Sequence, residues 1–389
     1  MAWCALADAI PLYPLYALLF ADSGLSDAEI SALFIIWSVV GMVCEVPAGA
    51  LADRVSRRGA LVAAGVLQAA CHLLWVVQPD FAGFAAGFVL WGIGGALGSG
   101  AFAALLFEGL TAAGAGHRYG PVTARADAAA LLVQVPVAGA ASLLAAVGGY
   151  TAAGLVSVAV CLAAAALAAG LPDVRPAHGG DGDEDEDGDE RGYMETLRAG
   201  LGEVARVGAV RAAVAAAAIL FAFDGLEEFH PLLAEDWGVP GDLIPVALLV
   251  IPLVGAAGAA LGGRLVRASP LVLGALLGAG AVALALAAIL AGPAGIAGLA
   301  VFYGVGRAVQ VVADTRLQER IAGPSRATVS SVAGLASEMA VIALLGIWAA
   351  GGLPVATVLA LAAAVAVPLL LGRGTVARRG APATPRVTS

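Results

Sequence analysis

Five ionisable residues lie deep within otherwise apolar stretches of the chain: Asp8, Glu45, Asp224, Arg307 and Glu338. A charge inside a lipid-spanning helix costs several kcal/mol unless it faces a bundle interior or water, so each of the five is a candidate for work. A carboxylate in such a place can alternate between charged and neutral forms, with burial or a nearby guanidinium setting where it titrates. Arg307, the one deep base, can neutralise such a carboxylate or hold an anionic group of a solute. The alternative for each residue is a static ion pair that packs helices together. A further cluster lies in FDGLEEFHPLL, Phe223 to Leu233. There Asp224, Glu227 and Glu228 fall at i, i+3 and i+4 on one face of a helix, with His230 three residues past Glu227. This cluster can admit protons or a cation, while a metal site is the weaker reading against solvated side chains at an interface.

Such residues need long apolar elements to hold them, and the composition supplies these. The chain is 61% hydrophobic and 13% charged, with a mean hydropathy of +0.93. A soluble protein carries about 25% charged residues. Twelve stretches are long and apolar enough to span a bilayer, which takes about 20 residues. They begin with Ala2 to Phe20 and include Val122 to Val147, Tyr150 to Leu171, Val207 to Leu233, Ala327 to Ala350 and Pro354 to Leu371. Ala2 to Phe20 lacks a basic start and contains Asp8, Pro11 and Pro14, so it reads as a retained helix rather than a cleaved signal. If these stretches cross in succession, every Arg-bearing loop falls on one side and the other side carries only acids. By the positive-inside rule both termini are then cytoplasmic. Cys4, Cys44, Cys71 and Cys161 are scattered singly, which suggests neither disulfides nor zinc.

The run from Asp181 to Glu190 holds eight carboxylates, and it accounts for most of the net charge of −9. Without it the chain is nearly neutral, and no nucleic-acid partner is implied. Its composition predicts a solvated linker on the cytoplasmic side. Asp183, Asp185, Asp187 and Gly188 match the start of a calcium loop, but the twelfth position, which needs a bidentate Glu, is Met194.

On either side of the linker the chain repeats itself. AGALADRVSR from Ala48 lies over GAALGGRLVR from Gly258, WGIGGA from Trp91 over YGVGRA from Tyr303, and LFEGL from Leu106 over LQERI from Leu317, at offsets of 210, 212 and 211. Two matched six-helix halves account for this. The pairs Glu108 with Arg125 and Glu319 with Arg326 stand at related places and read as interhelical clamps. His72 and Gln68 read as packing residues.

Gly49, Leu51, Asp53, Arg54, Arg57 and Arg58, between the second and third spans, resemble the signature loop of the major facilitator superfamily, with Ser56 where that family usually has Gly. The resemblance covers essentially the whole chain. It implies an all-α membrane protein of twelve transmembrane helices in two six-helix bundles, and a cytoplasmic latch made by Gly49, Asp53, Arg54, Arg57 and Arg58. An acid near a helix end can indeed hold Arg side chains and neighbouring N–H groups. In the second copy Gly263 replaces the acid. The third, sixth, ninth and twelfth spans carry no interior charge, as the family's peripheral helices would require. Two departures weaken the case for export: the fourth span lacks the Arg that many proton-coupled members carry, and VQVPVAGA keeps only Pro136 and Gly139 of the antiporter stretch.

The expected organisation is a bundle over 1–171, a linker over 172–206, a bundle over 207–372 and a tail over 373–389. The expected function is secondary active transport of a small-molecule substrate through the lipid bilayer of the cytoplasmic membrane. The chain would act as a monomer, with no cofactor and with a proton gradient as the energy source. Proton-coupled efflux of apolar, drug-like compounds is favoured, because few aromatic and polar residues are available to grip a sugar. The alternatives are proton-coupled uptake of a metabolite, a membrane-embedded enzyme or a lipid scramblase. No phosphate loop, HExxH or GxSxG string is present.

Overall fold

A computed structural model describes residues 2–54, 56–172, 202, 204–321 and 326–372, and the regular structure among them is helical. The acidic run and the C-terminal tail lie outside the described residues, as do the side chains of Asp53, Arg54 and Arg326. Nine helical stretches among the described residues are long and apolar enough to cross a membrane. Outward-facing side chains such as Leu271, Ile289 and Val147 are as apolar as the interior. Lipid exerts no hydrophobic drive between helices, so close packing of small residues must hold them together.

The first predicted span is not one helix. α1 (Ala2–Ala7) and α2 (Tyr16–Asp22) are separated by a turn that holds Pro11 and Pro14. Proline removes a backbone donor and clashes with the preceding turn, so two of them in four residues end the helix. The freed N–H of Leu12 donates to the Ser157 hydroxyl at 3.0 Å, and Ser157 in turn donates to the carbonyl of Ala153 at 2.8 Å. Irregular backbone at membrane depth must find such a partner.

α3 (Asp27–Arg54), α4 (Arg57–Val77) and α5 (Phe81–Ala112) follow, the last two capped by the side chains of Ser56 and Asp80. α6 runs from Tyr119 to Ala169, 51 residues. At about 1.5 Å per residue this is more than twice the hydrocarbon thickness of about 30 Å. It breaks at Gly149, φ 60° and ψ −158°. That region of backbone space is accessible essentially only to glycine. The equivalent long helix at the C-terminal end breaks in the same way at Gly352, φ 55° and ψ −150°. Both breaks fall where the sequence places boundaries between spans.

The chain forms two compact units. One comprises 1–182, 226–249 and 345–350, and the other 183–225, 250–344 and 351–389. The second contains α7 (Gly208–Ala222), α10 (Val250–Leu265), α11 (Pro270–Leu290) and α12 (Gly295–Arg320), and most of α13 (Arg326–Gly372). The short helices α8 (His230–Asp236) and α9 (Ile244–Ala247) belong to the first. Each unit has its own core: Ala60, Leu61, Ala64, Leu97 and Ala168 in the first, and Leu220, Leu273, Val309, Val312 and Val367 in the second.

The repeated glycine strings mark helix crossings. In the second unit a Cβ on Gly258 would strike the carbonyl of Gly304, and one on Gly304 would meet Val254 O at 2.9 Å. In the first, a Cβ on Gly92 would meet Val40 Cβ at 3.0 Å. Gly92 and Gly304 are the repeat-related pair of WGIGGA and YGVGRA.

Candidate functional site

In the second unit, Arg307 and Gln310 lie three residues apart on α12 and therefore on one face. Arg307 Nη1 donates to Gln310 Oε1 at 2.8 Å, and Gln310 Nε2 donates to Asp224 Oδ1 at 2.9 Å and to the Leu220 carbonyl at 3.3 Å. The direct approach of Arg307 to Asp224 Oδ2 is longer, 3.9 Å. Gln310 is 4% exposed, whereas the side chains of Arg307 and Asp224 keep 38% and 27%. A neutral amide thus bridges an acid and a base, donating to one and accepting from the other. All three groups line a cavity of about 30 Å³ beside Phe223, Phe302 and Tyr303, room for about two waters. Such a site can load and release a proton, and its guanidinium is open to an anionic group.

Asp224 stands here because the seventh span is irregular. Residues Phe223–Phe229 wind as a 3-10 helix between α7 and α8. Pro231 cannot donate to the Glu227 carbonyl and crowds it, which favours a break in the α-helix at this point. With three residues per turn instead of 3.6, Asp224 and Glu227 eclipse one another while Glu228 turns about 120° away from them. The expected acidic cluster is therefore divided. Asp224 joins Gln310 and Arg307 in the second unit. Glu228 belongs to the first, where it accepts a hydrogen bond from the Tyr16 hydroxyl. Glu227 is exposed and His230 is buried.

The aromatic residues are few but not evenly spread. In the first unit Tyr16 meets Phe20, Phe34, Trp75, Phe88 and Trp91, with centroids 5.6 to 6.3 Å apart. Tyr13 stacks on Trp91 at 5.0 Å, and Trp37 tilts against it at 5.4 Å. The sequence reading of a cavity poor in rings does not apply to this wall.

The remaining candidates are dispersed. Asp8 is half-buried in the turn after α1. Glu45 on α3 and Glu338 on α13 are exposed. Gly49 touches nothing where a Cβ would stand. Arg57 forms an ion pair with Glu108, so Glu108 is clamped by Arg57 rather than by Arg125, which is exposed. Arg58 reaches the Leu171 carbonyl at 3.5 Å. Glu319 is exposed. His72 is fully buried, its Nδ1 bound to the Gln68 carbonyl at 2.7 Å. Sequence reasoning missed Gln310 and Tyr16, and also Arg316, which holds the carbonyls of Val266 and Ala268 just past the end of α10. Among the described residues no group of three or more His, Cys, Asp or Glu could hold a metal.

No curated protein sequence matches the chain. Solved structures do match in fold. A bacterial homolog of the human lysosomal transporter Spinster, inward-facing and unoccupied, aligns with a TM-score of 0.74 at 16% identity, covering 98% of this chain and 96% of that one. A D-xylose–proton symporter aligns at 0.68 and 14% identity, covering 95% and 96%. The nucleoside transporter NupG aligns at 0.71 and 12% identity, covering 96% of each. At such identities the likeness is one of fold alone. The sequence itself matches the family model of the Major Facilitator Superfamily over residues 1–344. The chain therefore belongs to the Major Facilitator Superfamily and is a multi-pass membrane transporter, not an enzyme.

Proposed function

We propose that the chain is a proton-coupled exporter of small, mainly apolar organic solutes, working as a monomer by alternating access with Asp224 as the proton carrier. The observation that carries this reading is the Asp224, Gln310 and Arg307 bridge beside a water-sized cavity. With Asp224 ionised, both partners are held to it. When a proton neutralises Asp224, the attraction to Arg307 lapses and the guanidinium is free to move or to take another anion. With Asp224 ionised the pair is neutral, and when Asp224 takes a proton the partly exposed guanidinium must be compensated by water or by an anion.

The reading includes twelve crossings, six per half, with the first span broken and the two longest helices each supplying two. It places both termini and the acidic linker in the cytoplasm of a cell whose cytoplasmic membrane holds the protein. Asp53 and Arg54 would act with the Arg57–Glu108 and Arg58–Leu171 contacts as the cytoplasmic latch, outside the proton site.

Purified protein in liposomes under an imposed pH gradient, with solute accumulation and internal pH recorded together, tests the proposal. Accumulation with matched proton movement is expected, and Asp224→Asn should abolish accumulation while leaving solute exchange at equal pH. Accumulation by Asp224→Asn at the wild-type level, with protons still moving, would sink the assignment. Comparing inside-out with right-side-out vesicles separates export from uptake.

A further inference from the structure

We propose that Glu228, with the ring wall of Tyr13, Tyr16, Trp37 and Trp91, forms a binding site for an organic cation, an ammonium carrying apolar or aromatic substituents. The inference rests on the transporter reading only for its consequence, that the transported solute carries a positive charge.

Glu228 is half-buried, and its carboxylate accepts from the Tyr16 hydroxyl. Glu228 takes part in neither the Arg57–Glu108 nor the Asp224–Arg307 ion pair. Glu228 thus stands at a wall of rings, and a carboxylate held partly out of bulk water calls for a counter-charge.

The rings are arranged to help supply the remainder of such a site. Trp91 is 8% exposed and is nearly parallel to Tyr13, at 1° and 5.0 Å, and to Phe88, at 11° and 5.8 Å. Tyr16 and Trp37 also contact Trp91, at 6.0 and 5.4 Å. Tyr13, Tyr16 and Trp37 are each half-buried, so three partly open rings cluster around one buried indole. The face of a Trp or Tyr ring attracts a cation within about 6 Å of its centroid, the more so where water is excluded. The wall offers one carboxylate and phenol hydroxyls but few other oxygens, which suits a weakly hydrated ammonium and not a hard metal ion that needs six or so oxygen ligands.

Binding of phenyltrimethylammonium to the purified full-length protein can be read by quenching of tryptophan fluorescence, since Trp37 and Trp91 lie in the wall. Its charge is permanent, and tert-butylbenzene is an uncharged molecule of the same shape. The cation should bind saturably and at least tenfold more tightly than tert-butylbenzene. Glu228→Gln should remove that preference, and Tyr16→Phe should weaken cation binding while leaving thermal stability near wild type. Equal binding of the two probes by the wild type, or unchanged cation binding in either variant, overturns the site. Accumulation assays keep the two proposals apart. Cation binding without gradient-driven accumulation leaves this site standing and overturns the export reading, whereas gradient-driven accumulation of neutral solutes that is indifferent to Glu228→Gln does the reverse.

Discussion

Gln310 is suited to its place because one amide carries both a donor and an acceptor. A carboxylate there would repel Asp224, and a hydrocarbon would leave Asp224 and Arg307 with only their 3.9 Å approach. Gln310→Leu is expected to lower gradient-driven transport at least tenfold, measured per molecule of reconstituted protein, with Gln310→Asn intermediate because its shorter arm spans the gap poorly. Arg316 has a different role. The residue is 7% exposed, and its guanidinium is bound to two carbonyls beyond the end of α10, at 2.6 to 3.2 Å. Charged hydrogen bonds of this kind contribute roughly 2 kcal/mol. Arg316→Ala should therefore lower the melting temperature by several degrees, and unchanged melting would show the contacts to be incidental. At this scale the sequence reveals charge and little else. Asp224 and Arg307 stand out because an ion in an apolar run is rare, whereas Gln310 and Tyr16 belong to residue types that occur in any helix and acquire meaning only from what faces them.

Helix breaks and crossings were legible in part. Gly149 and Gly352 fall at the boundaries expected between spans, because paired glycines interrupt two otherwise continuous apolar runs. Pro11 and Pro14 argue in the sequence against a cleaved signal, yet the first span is expected there to be one helix. Whether prolines break a span depends on a partner for the freed N–H, here Ser157, which lies 145 residues away. The 3-10 winding of Phe223–Phe229 was missed for a related reason, since the i, i+3, i+4 rule presumes 3.6 residues per turn. The glycine strings, recognised first as a repeat, turn out to be the places where α10 meets α12 and α3 meets α5. Gly258→Ala would drive a methyl group into the Gly304 carbonyl, and backbone cannot yield as a flexible side chain can. Overpacking of this kind costs about 1–3 kcal/mol, so a lower melting temperature is expected. Gly263→Ala, where a Cβ meets nothing, should leave melting unchanged. Equal effects of the two substitutions would remove close approach as the reason for the glycine.

At the scale of the molecule, charge is sorted along the chain more strictly than the fold alone requires. All twenty basic residues are Arg, and between the spans expected from the sequence, segments that bear Arg alternate with segments that bear only acids, whereas Arg307 lies within a span. Orientation in the membrane is set by basic residues in short loops, and acids contribute little. The eight carboxylates between Asp181 and Glu190 are therefore expected to be neutral with respect to topology, although they account for the step between a net charge of −9 and one of −1. Their composition favours solvation over packing, and a chain segment that joins two separately packed units need only be long enough to reach. Deleting Asp181 to Glu190 should leave both the direction of insertion and the rate of transport close to wild type. A protease-sensitive tag placed after Ser389 reads the first in intact cells, where it should stay protected, and solute flux in liposomes reads the second. A tag cleaved from outside would refute the orientation. A large loss of flux in correctly inserted protein would make the acidic run part of the machine, and its carboxylates would then have to act on the cytoplasmic mouth rather than connect the two halves.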